Sequence, residues 1–162
     1  MAHDAATVQR WLTRICGHEG GFQKSPTDDG NWTGGRQGLG ELKGTKWGVA
    51  ANTYGHLDIE RLTVADAERI YRTDFLAHLN ADAQPDGVAF QMLDFAVNSG
   101  PSAAVAALRS ATTKPGRSES DVIMLVLAER LEYLTKLRRW DEFGRGWVRR
   151  QAANLRYGAE DS

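Results

Sequence analysis

The sequence predicts a mainly α-helical fold with a small glycine-rich loop or β-hairpin lobe. Apolar residues recur at intervals of three and four in several segments, which is the spacing of one helix face. Seven of the 17 glycines fall between Gly30 and Gly48, where a loop or hairpin is expected. A chain of 162 residues is expected to form a single domain, 1–162, with a motif-bearing half at 1–80 and a helical half at 81–162.

The first predicted helix ends at a candidate catalytic acid. Asp4 is a plausible N-cap, and Glu19 continues the apolar face before Gly20 and Gly21 permit a sharp turn. Burial against apolar neighbours raises the pKa of a carboxyl group, which then remains protonated and can act as a general acid. The same local sequence is also compatible with a solvated glutamate, without a catalytic role, at a fraying helix end. The apolar face comprises Ala5, Val8, Trp11, Leu12, Ile15 and Cys16.

A second carboxylate and a hydroxyl group follow in the next segment. Asp28 lies in a polar, turn-rich stretch where it is expected to stay ionised, and Thr45 follows the glycine-rich loop. Cleavage of a glycosidic bond requires an acid for the leaving oxygen and a carboxylate that activates water or stabilises the sugar cation. A threonine hydroxyl can hold the attacking water. Asp28 is also compatible with an Asx-turn or a helix cap.

These segments resemble glycoside hydrolase family 108. The resemblance implies a lysozyme-like helical fold and a muramidase, often a phage endolysin, that cleaves the β-1,4 bond between N-acetylmuramic acid and N-acetylglucosamine and lyses bacterial cells. It implies that Glu19 is the catalytic acid. The second half, with Phe143-Gly144-Arg145-Gly146-Trp147, is similar to a predicted peptidoglycan-binding region. The matching motifs are Glu19-Gly20-Gly21-Phe22, then Pro26, Asp28 and Gly30, Thr45-Lys46-Trp47-Gly48-Val49, Leu62-Thr63 through Tyr71-Arg72, and Asp94-Phe95-Ala96-Val97-Asn98-Ser99-Gly100.

The family is also similar to phage-type lysozymes, which carry a glutamate, an aspartate and a threonine in that order. Glu19 and Asp28 fit the first two positions, and two threonines compete for the third. Thr33 has the better spacing from Asp28, whereas Thr45 is followed by the residues of the family motif. We favour Thr45, which makes 31–44 an insertion. Phe22 replaces the tyrosine usual in the family and removes a hydroxyl group.

Four residues are candidates for substrate binding. An aromatic ring can cover the apolar side of a sugar, and Trp32 lies in a polar loop where it is expected to be exposed. Tyr54 and Asn98 fall at predicted helix ends, and Asn98 could hydrogen-bond an acetamido group. Thr33 completes the set. Among the other tryptophans, core positions are expected for Trp11, Trp140 and Trp147.

Two other functional classes are compatible with the same motifs. A lytic transglycosylase uses one acid and lets a hydroxyl of the sugar attack, which leaves a 1,6-anhydro product; Asp28 argues against it. A cell-wall-binding module or phage structural component could retain the motif without activity. A bacterial autolysin would differ from an endolysin in biology but not in chemistry.

No metal or cofactor is predicted. His18-Glu19 lacks the second histidine of a zinc-binding helix, and the other histidines are scattered. The single cysteine, Cys16, permits no internal disulfide and is expected in the core. The formal net charge is −1, but 109–157 holds 11 Lys or Arg against six Asp or Glu. This excess could attract an anionic cell wall, and no nucleic-acid motif accompanies it. Peptidoglycan is the expected partner of a monomer.

The sequence also bears on location. It contains no apolar run of the ~20 residues that span a bilayer, so no membrane insertion is expected. The N-terminus lacks the basic and apolar regions of a signal peptide. Synthesis in the host cytoplasm is therefore expected, with access to the cell wall after release through a holin or another export route.

The remaining helices are predicted from periodicity and caps. A short helix is predicted at 47–54, and a near capping box of Thr63 and Asp66 opens the next. A buried central helix is expected at about 85–97, followed by another from about 102. The longest helix is predicted at 119–137 after a loop at 114–118, and a final one at 146–157.

Overall fold

The computed structural model describes residues 3–19 and 21–161, without the side chains of Cys16, His18 and Glu19. The predictions for these side chains, including the core position of Cys16, lie outside the described part. The described residues form seven α-helices and one two-stranded antiparallel sheet, which confirms the predicted mainly α fold with a small hairpin. The elements are α1 (Ala5–Glu19), β1 (Thr45–Lys46), β2 (Val49–Ala50), α2 (Ala51–Tyr54), α3 (Val64–Ile70), α4 (Asp86–Ser99), α5 (Pro101–Ala111), α6 (Glu119–Thr135) and α7 (Trp140–Asp161).

The described chain divides into two compact units. The N-terminal unit, Asp4–Tyr71, contains α1 to α3 and the sheet. The C-terminal unit contains His3 and residues 72–161, with α4 to α7. None of the described helices is both long and apolar enough to cross a membrane.

Helix α1 forms as its sequence predicts. The carboxylate of Asp4 accepts a hydrogen bond from the backbone N–H of Thr7 at 2.7 Å, which caps the helix. Four residues of the predicted apolar face, Val8, Trp11, Leu12 and Ile15, are buried, whereas Ala5 in the first turn is exposed. The helix ends at Glu19, directly before the glycine-rich segment.

Helix α4 is the buried centre of the C-terminal unit. Every residue from Gly87 to Ala96 is buried, and the helix packs against α5, α6 and α7. The glycine–proline pair at 100–101 then ends α4 and begins α5. The predicted central helix is therefore confirmed.

A buried carboxylate fastens α4 to α6 and α7. The side chain of Asp94 has no exposed area and accepts hydrogen bonds from Arg130 Nη1 at 2.6 Å, Arg150 Nη2 at 2.9 Å and Asn154 Nδ2 at 2.5 Å. Burial lowers the pKa of Arg150 to about 10, so its guanidinium remains charged at neutral pH. Side chains of α6 and α7 thus converge on one buried carboxyl group of α4.

Two helices of the structure begin with a capping box. In α3, Thr63 and Asp66 exchange hydrogen bonds, as predicted, and in α6 Ser118 and Asp121 do the same. Hydrogen bonds from the Thr63 and Ser118 side chains, followed by those from their backbone N–H groups, lower the pKa of Asp66 and of Asp121. Both carboxylates are therefore more acidic in the folded chain than in the unfolded chain.

The stability of the protein should depend on these two caps at acid pH. A carboxylate whose pKa is lowered on folding stabilises the fold above its unfolded value, 3.8, and this contribution is lost as the pH falls through the folded value. We expect Asp66→Asn with Asp121→Asn to flatten the decrease in the free energy of unfolding below pH 3.8. Urea unfolding at a series of pH values checks this, and an unchanged slope would contradict it.

The structure corrects three predictions about helices and core. The predicted helix at 47–54 is wrong at its start, because Trp47 and Gly48 form the turn between β1 and β2 and α2 begins only at Ala51. The longest helix is α7, with 22 residues, and it begins at Trp140 rather than at 146. Trp11 is buried as predicted, but Trp140 and Trp147 are only half-buried.

Candidate active site

The proposed catalytic acid lies at the end of α1. Glu19 is the last residue of that helix, and its side chain and Gly20 are outside the described part of the chain. The assignment of Glu19 as the acid stays a prediction. From Gly21 onward the backbone is described, and it leads within two residues to Gln23, which begins the candidate site.

Gln23 and Thr45 lie side by side. Their backbones exchange two hydrogen bonds, Gln23 N to Thr45 O at 2.9 Å and Thr45 N to Gln23 O at 2.8 Å. Gly44 makes this approach feasible, since its φ is +88° and a Cβ atom there would lie 2.4 Å from Gln23 O. The glycine before Thr45 therefore fixes the threonine against the segment that follows α1.

Asp28 is exposed and caps a 3-10 helix, Asp29–Asn31. Its Oδ1 accepts a hydrogen bond from Gly30 N at 3.0 Å, so the interpretation of Asp28 as a helix cap is correct. Its Oδ2 accepts a second hydrogen bond from Gln23 Nε2, also at 3.0 Å. The carboxylate is therefore oriented by two donors while remaining open to solvent.

Asn31 connects this carboxylate to Thr45. Its side chain is completely buried, and its Oδ1 accepts hydrogen bonds from Thr45 Oγ1 at 2.8 Å and from Gln23 Nε2 at 3.0 Å. Gln23 and Asn31, hereafter the amide pair, thus join Asp28 to Thr45 through three consecutive hydrogen bonds. The sequence analysis missed both amides, because neither belongs to a spacing pattern with known chemistry.

Thr33 has a different environment. Its Oγ1 accepts a hydrogen bond from Glu41 N at 2.9 Å, and its backbone N–H donates to Glu41 O at the same distance. The preceding residue, Trp32, was expected to be exposed but is half-buried, because its backbone forms a bridge with Leu42 and its indole Nε1 donates to Pro26 O at 2.9 Å. The described bonds of Thr33 hold the long loop together and do not join it to the amide pair.

The segment 31–44 is a closed loop. At its base, the backbone N–H groups of Lys43 and Gly44 both donate to Asn31 O, at 2.9 and 3.1 Å. Further along, Gln37 donates from its backbone to Asp29 Oδ1 at 3.0 Å and from its side chain to Thr27 O at 2.7 Å. The loop is therefore tied back onto the residues that flank Asp28.

The other two candidate substrate contacts lie elsewhere. Tyr54 is the last residue of α2, is half-buried, and has its ring 6.4 Å from that of His56. Asn98 belongs to the C-terminal unit, near the end of α4, where its Oδ1 accepts a hydrogen bond from Arg130 Nη2 at 3.3 Å.

Among the described residues, no group of three or more His, Cys, Asp or Glu is arranged to hold a metal ion.

An aromatic cluster lies at the surface at the beginning of α7. The ring of Trp147 lies 6.1 Å from that of Trp140 and 6.0 Å from that of Phe143. A cavity of about 490 Å³ adjoins the cluster. Aromatic side chains at a surface are suited to contacts with sugars, but binding of peptidoglycan by this half of the chain stays a prediction. The cavity is lined by Trp140, Asp141, Gly144, Arg145, Val148 and Arg149.

Comparison with protein families identifies the chain. The sequence model described as Glycosyl hydrolase 108 matches residues 12–100, which is more than half of the chain and includes Glu19, Asp28, Thr45 and the amide pair. The chain belongs to glycosyl hydrolase family 108. This membership makes it a glycosidase and supports peptidoglycan hydrolysis as its activity.

The family match also confirms the resemblance seen in the motifs from Glu19 to Gly100. The solved structure of SagA from Brucella abortus is similar to this family 108 chain over almost its entire length, with a TM-score of 0.79 and 24% sequence identity. The similarity covers 98% of this chain and 97% of SagA, and it establishes a shared fold. None of the curated proteins matches the chain.

Proposed function

We propose that this family 108 glycosidase is an N-acetylmuramidase that hydrolyses the β-1,4 bond between N-acetylmuramic acid and N-acetylglucosamine in peptidoglycan. The observation that carries the proposal is the convergence of Asp28 and Thr45 on the amide pair. A carboxylate and a hydroxyl oriented by one network are suited to binding a nucleophilic water. The acid would be Glu19, at the end of the preceding helix.

Each group has one role in the reaction. Glu19 donates its proton to the glycosidic oxygen while the bond from that oxygen to C1 of N-acetylmuramic acid breaks, and the leaving sugar departs as an alcohol. A water molecule held by Thr45 forms the new bond to C1 and transfers one proton to the Asp28 carboxylate. The second hydrogen of the water remains in the new hydroxyl group. Exchange with solvent returns the proton from Asp28 and reprotonates Glu19.

Substrate contacts are proposed at Trp32, Thr33, Tyr54 and Asn98. The half-buried indole of Trp32 supports stacking against a sugar ring, because its N–H is already bonded to Pro26 O and its ring is held in place. We further propose an endolysin role, in which the enzyme reaches the cell wall after release from the cytoplasm and lyses the bacterium. The resemblance to phage muramidases supports this role.

The proposal predicts a specific difference between two aspartates. Asp28 and Asp58 are both exposed and each caps a three-residue 3-10 helix of the N-terminal unit, but only Asp28 joins the amide pair. We expect Asp28→Asn to lower the rate of peptidoglycan hydrolysis by about 10²-fold or more, because the water loses its base. Asp58→Asn should retain the wild-type rate. Mass spectrometry of the soluble products gives both the rate and the chemistry.

The products separate the proposal from its alternatives. Muropeptides with a reducing N-acetylmuramic acid end are expected from the wild type. 1,6-Anhydro ends would instead establish a lytic transglycosylase, and pelleting with cell walls without any product would favour a binding module. Equal rates for wild type and Asp28→Asn would contradict the assigned role of Asp28.

A further inference from the structure

We propose that Gln23 and Asn31 are positioning residues that make the Thr45 hydroxyl an obligatory hydrogen-bond acceptor toward the nucleophilic water. The inference rests on the proposed function and deepens it. It assigns a direction to each hydrogen bond in the site, and so determines how the water is oriented when it attacks.

Ser25 fixes the orientation of both amides. Its backbone carbonyl oxygen accepts a hydrogen bond from Asn31 Nδ2 at 2.9 Å, and its backbone N–H donates to Gln23 Oε1 at 3.1 Å. A backbone carbonyl can only accept and a backbone N–H can only donate. Rotating either amide by 180° would therefore bring two acceptors or two donors together at Ser25, so each amide has one allowed orientation.

The remaining amide groups are then fully engaged. Asn31 Nδ2 also donates to Gln23 Oε1 at 2.7 Å, and Gln23 Nε2 donates to both Asn31 Oδ1 and Asp28 Oδ2 at 3.0 Å. Both N–H bonds of each amide have acceptors. The atom of Asn31 that faces Thr45 is consequently Oδ1, which can only accept a hydrogen bond.

Thr45 must therefore donate its only hydrogen inward. Its Oγ1 lies 2.8 Å from Asn31 Oδ1. A hydroxyl group has one donor and two acceptor positions, so toward any other partner this hydroxyl can only accept. A water bound between Thr45 and the Asp28 carboxylate would then donate one hydrogen to each. Both of its hydrogens are directed at the protein, and a lone pair remains for attack on C1.

The first test compares catalytic constants. Thr45→Val and Gln23→Met should each lower kcat about tenfold with little change in KM, since they disturb the water and not the binding of the sugars. Thr45→Ser keeps the hydroxyl and should recover most of the rate. The control is Gln37→Met, which removes an amide that ties the same loop to Thr27 O and should leave kcat and KM unchanged.

The second test uses the pH dependence of the rate. Gln23→Glu places a carboxylate where an amide now lies 3.0 Å from Asp28 Oδ2. Two carboxylates this close disfavour ionisation of one another, so the acid limb of the pH–rate profile should move to higher pH by about one unit. The shift tests whether Gln23 lies beside the base Asp28, and the uncharged variant Gln23→Met should lower kcat without moving this limb. The unfolding midpoint of each variant is measured in parallel. If Gln23→Met does not fold, the single variants Thr45→Val and Gln23→Glu still test the inference.

Two results would overturn the inference and leave the proposed function intact. One is a wild-type kcat in Thr45→Val when Asp28→Asn is inactive. The other is a wild-type kcat in a folded Gln23→Met variant; an unmoved acid limb in Gln23→Glu would instead contradict Asp28 as the base. Failure of the proposed function looks different, because it appears as 1,6-anhydro products from the wild type or as full activity of Asp28→Asn.

Discussion

Glu19→Gln should lower the rate of peptidoglycan hydrolysis by about 10²–10⁴-fold, which is the contribution expected of a general acid. The substitution keeps the size and shape of the side chain but removes the proton that the leaving oxygen requires. Sacculi should still pellet with the variant, since the substrate contacts are unchanged. Release of reducing ends from purified sacculi measures the rate.

A matched variant isolates the effect of Glu19. Glu60 is an exposed glutamate in the 3-10 helix Ile59–Arg61 of the same unit, and Glu60→Gln changes the net charge by the same amount. We expect Glu60→Gln to hydrolyse sacculi at the wild-type rate. Equal product from Glu19→Gln and wild type would exclude Glu19 as the acid and return the search to other carboxylates of the N-terminal unit.

Asp94→Ala should destabilise the C-terminal unit by about 3–5 kcal/mol. The carboxylate is fully buried, and its removal leaves the guanidinium groups of Arg130 and Arg150 without the anion they share. A loss of this size is a substantial fraction of the stability of an ordinary domain. Urea unfolding followed by circular dichroism gives the change in the free energy of unfolding.

The control for Asp94 lies on the same helix. Asp86 belongs to the first turn of α4 and pairs with His3 Nδ1 at 2.6 Å, but more than half of its side chain is exposed. Asp86→Ala is expected to cost less, about 1–2 kcal/mol, because it removes one hydrogen bond from the buried His3 ring, whereas Asp94 is shared by two guanidinium groups. Asp94→Asn keeps the volume and offers a folded variant if Asp94→Ala does not accumulate. Similar decreases in the free energy of unfolding for Asp86→Ala and Asp94→Ala would show that the burial of Asp94 does not determine its contribution to stability.

The sequence predicted elements whose determinants are local. Helix α1 follows from an N-cap and a periodic apolar face, and the start of α3 from a threonine and an aspartate three residues apart. The end of α4 follows from the glycine–proline pair. In these places the residues that decide the structure are neighbours in the chain, so inspection of a short window was sufficient.

The hairpin turn could not be predicted in this way. Trp47 has a positive φ of 55°, which is uncommon for a bulky residue, and its carbonyl oxygen accepts a hydrogen bond from Tyr71 Oη at 2.6 Å. Gly48 follows with a φ of 74°. A tryptophan–glycine pair is not a recognised hairpin signal, and its tyrosine partner lies 24 residues further along the chain.

The start of α7 and the amide pair were missed for related reasons. The final helix was predicted to begin at 146, yet Gly144 lies within α7, where a Cβ atom would meet the Trp140 ring at 3.0 Å. Gly144 therefore makes room for the ring of Trp140, one helical turn earlier, and does not end the helix. Gln23 and Asn31 acquire their roles only once Thr45 lies beside them, which depends on the closure of the long loop.

The closure of the 31–44 loop separates the position of Thr45 from the sequence of the loop tip. Because Lys43 and Gly44 both bond to Asn31 O, the ends of the 31–44 segment are joined at the residue that orients Thr45. The geometry that we propose for the Thr45 hydroxyl depends on this junction, and the tip around Gly38 and Leu39 is exposed to solvent. Substitutions at the exposed tip, Gln37 apart, should therefore leave the bonds that hold Thr45 in place, so contacts with a substrate could change there independently of the Thr45 geometry.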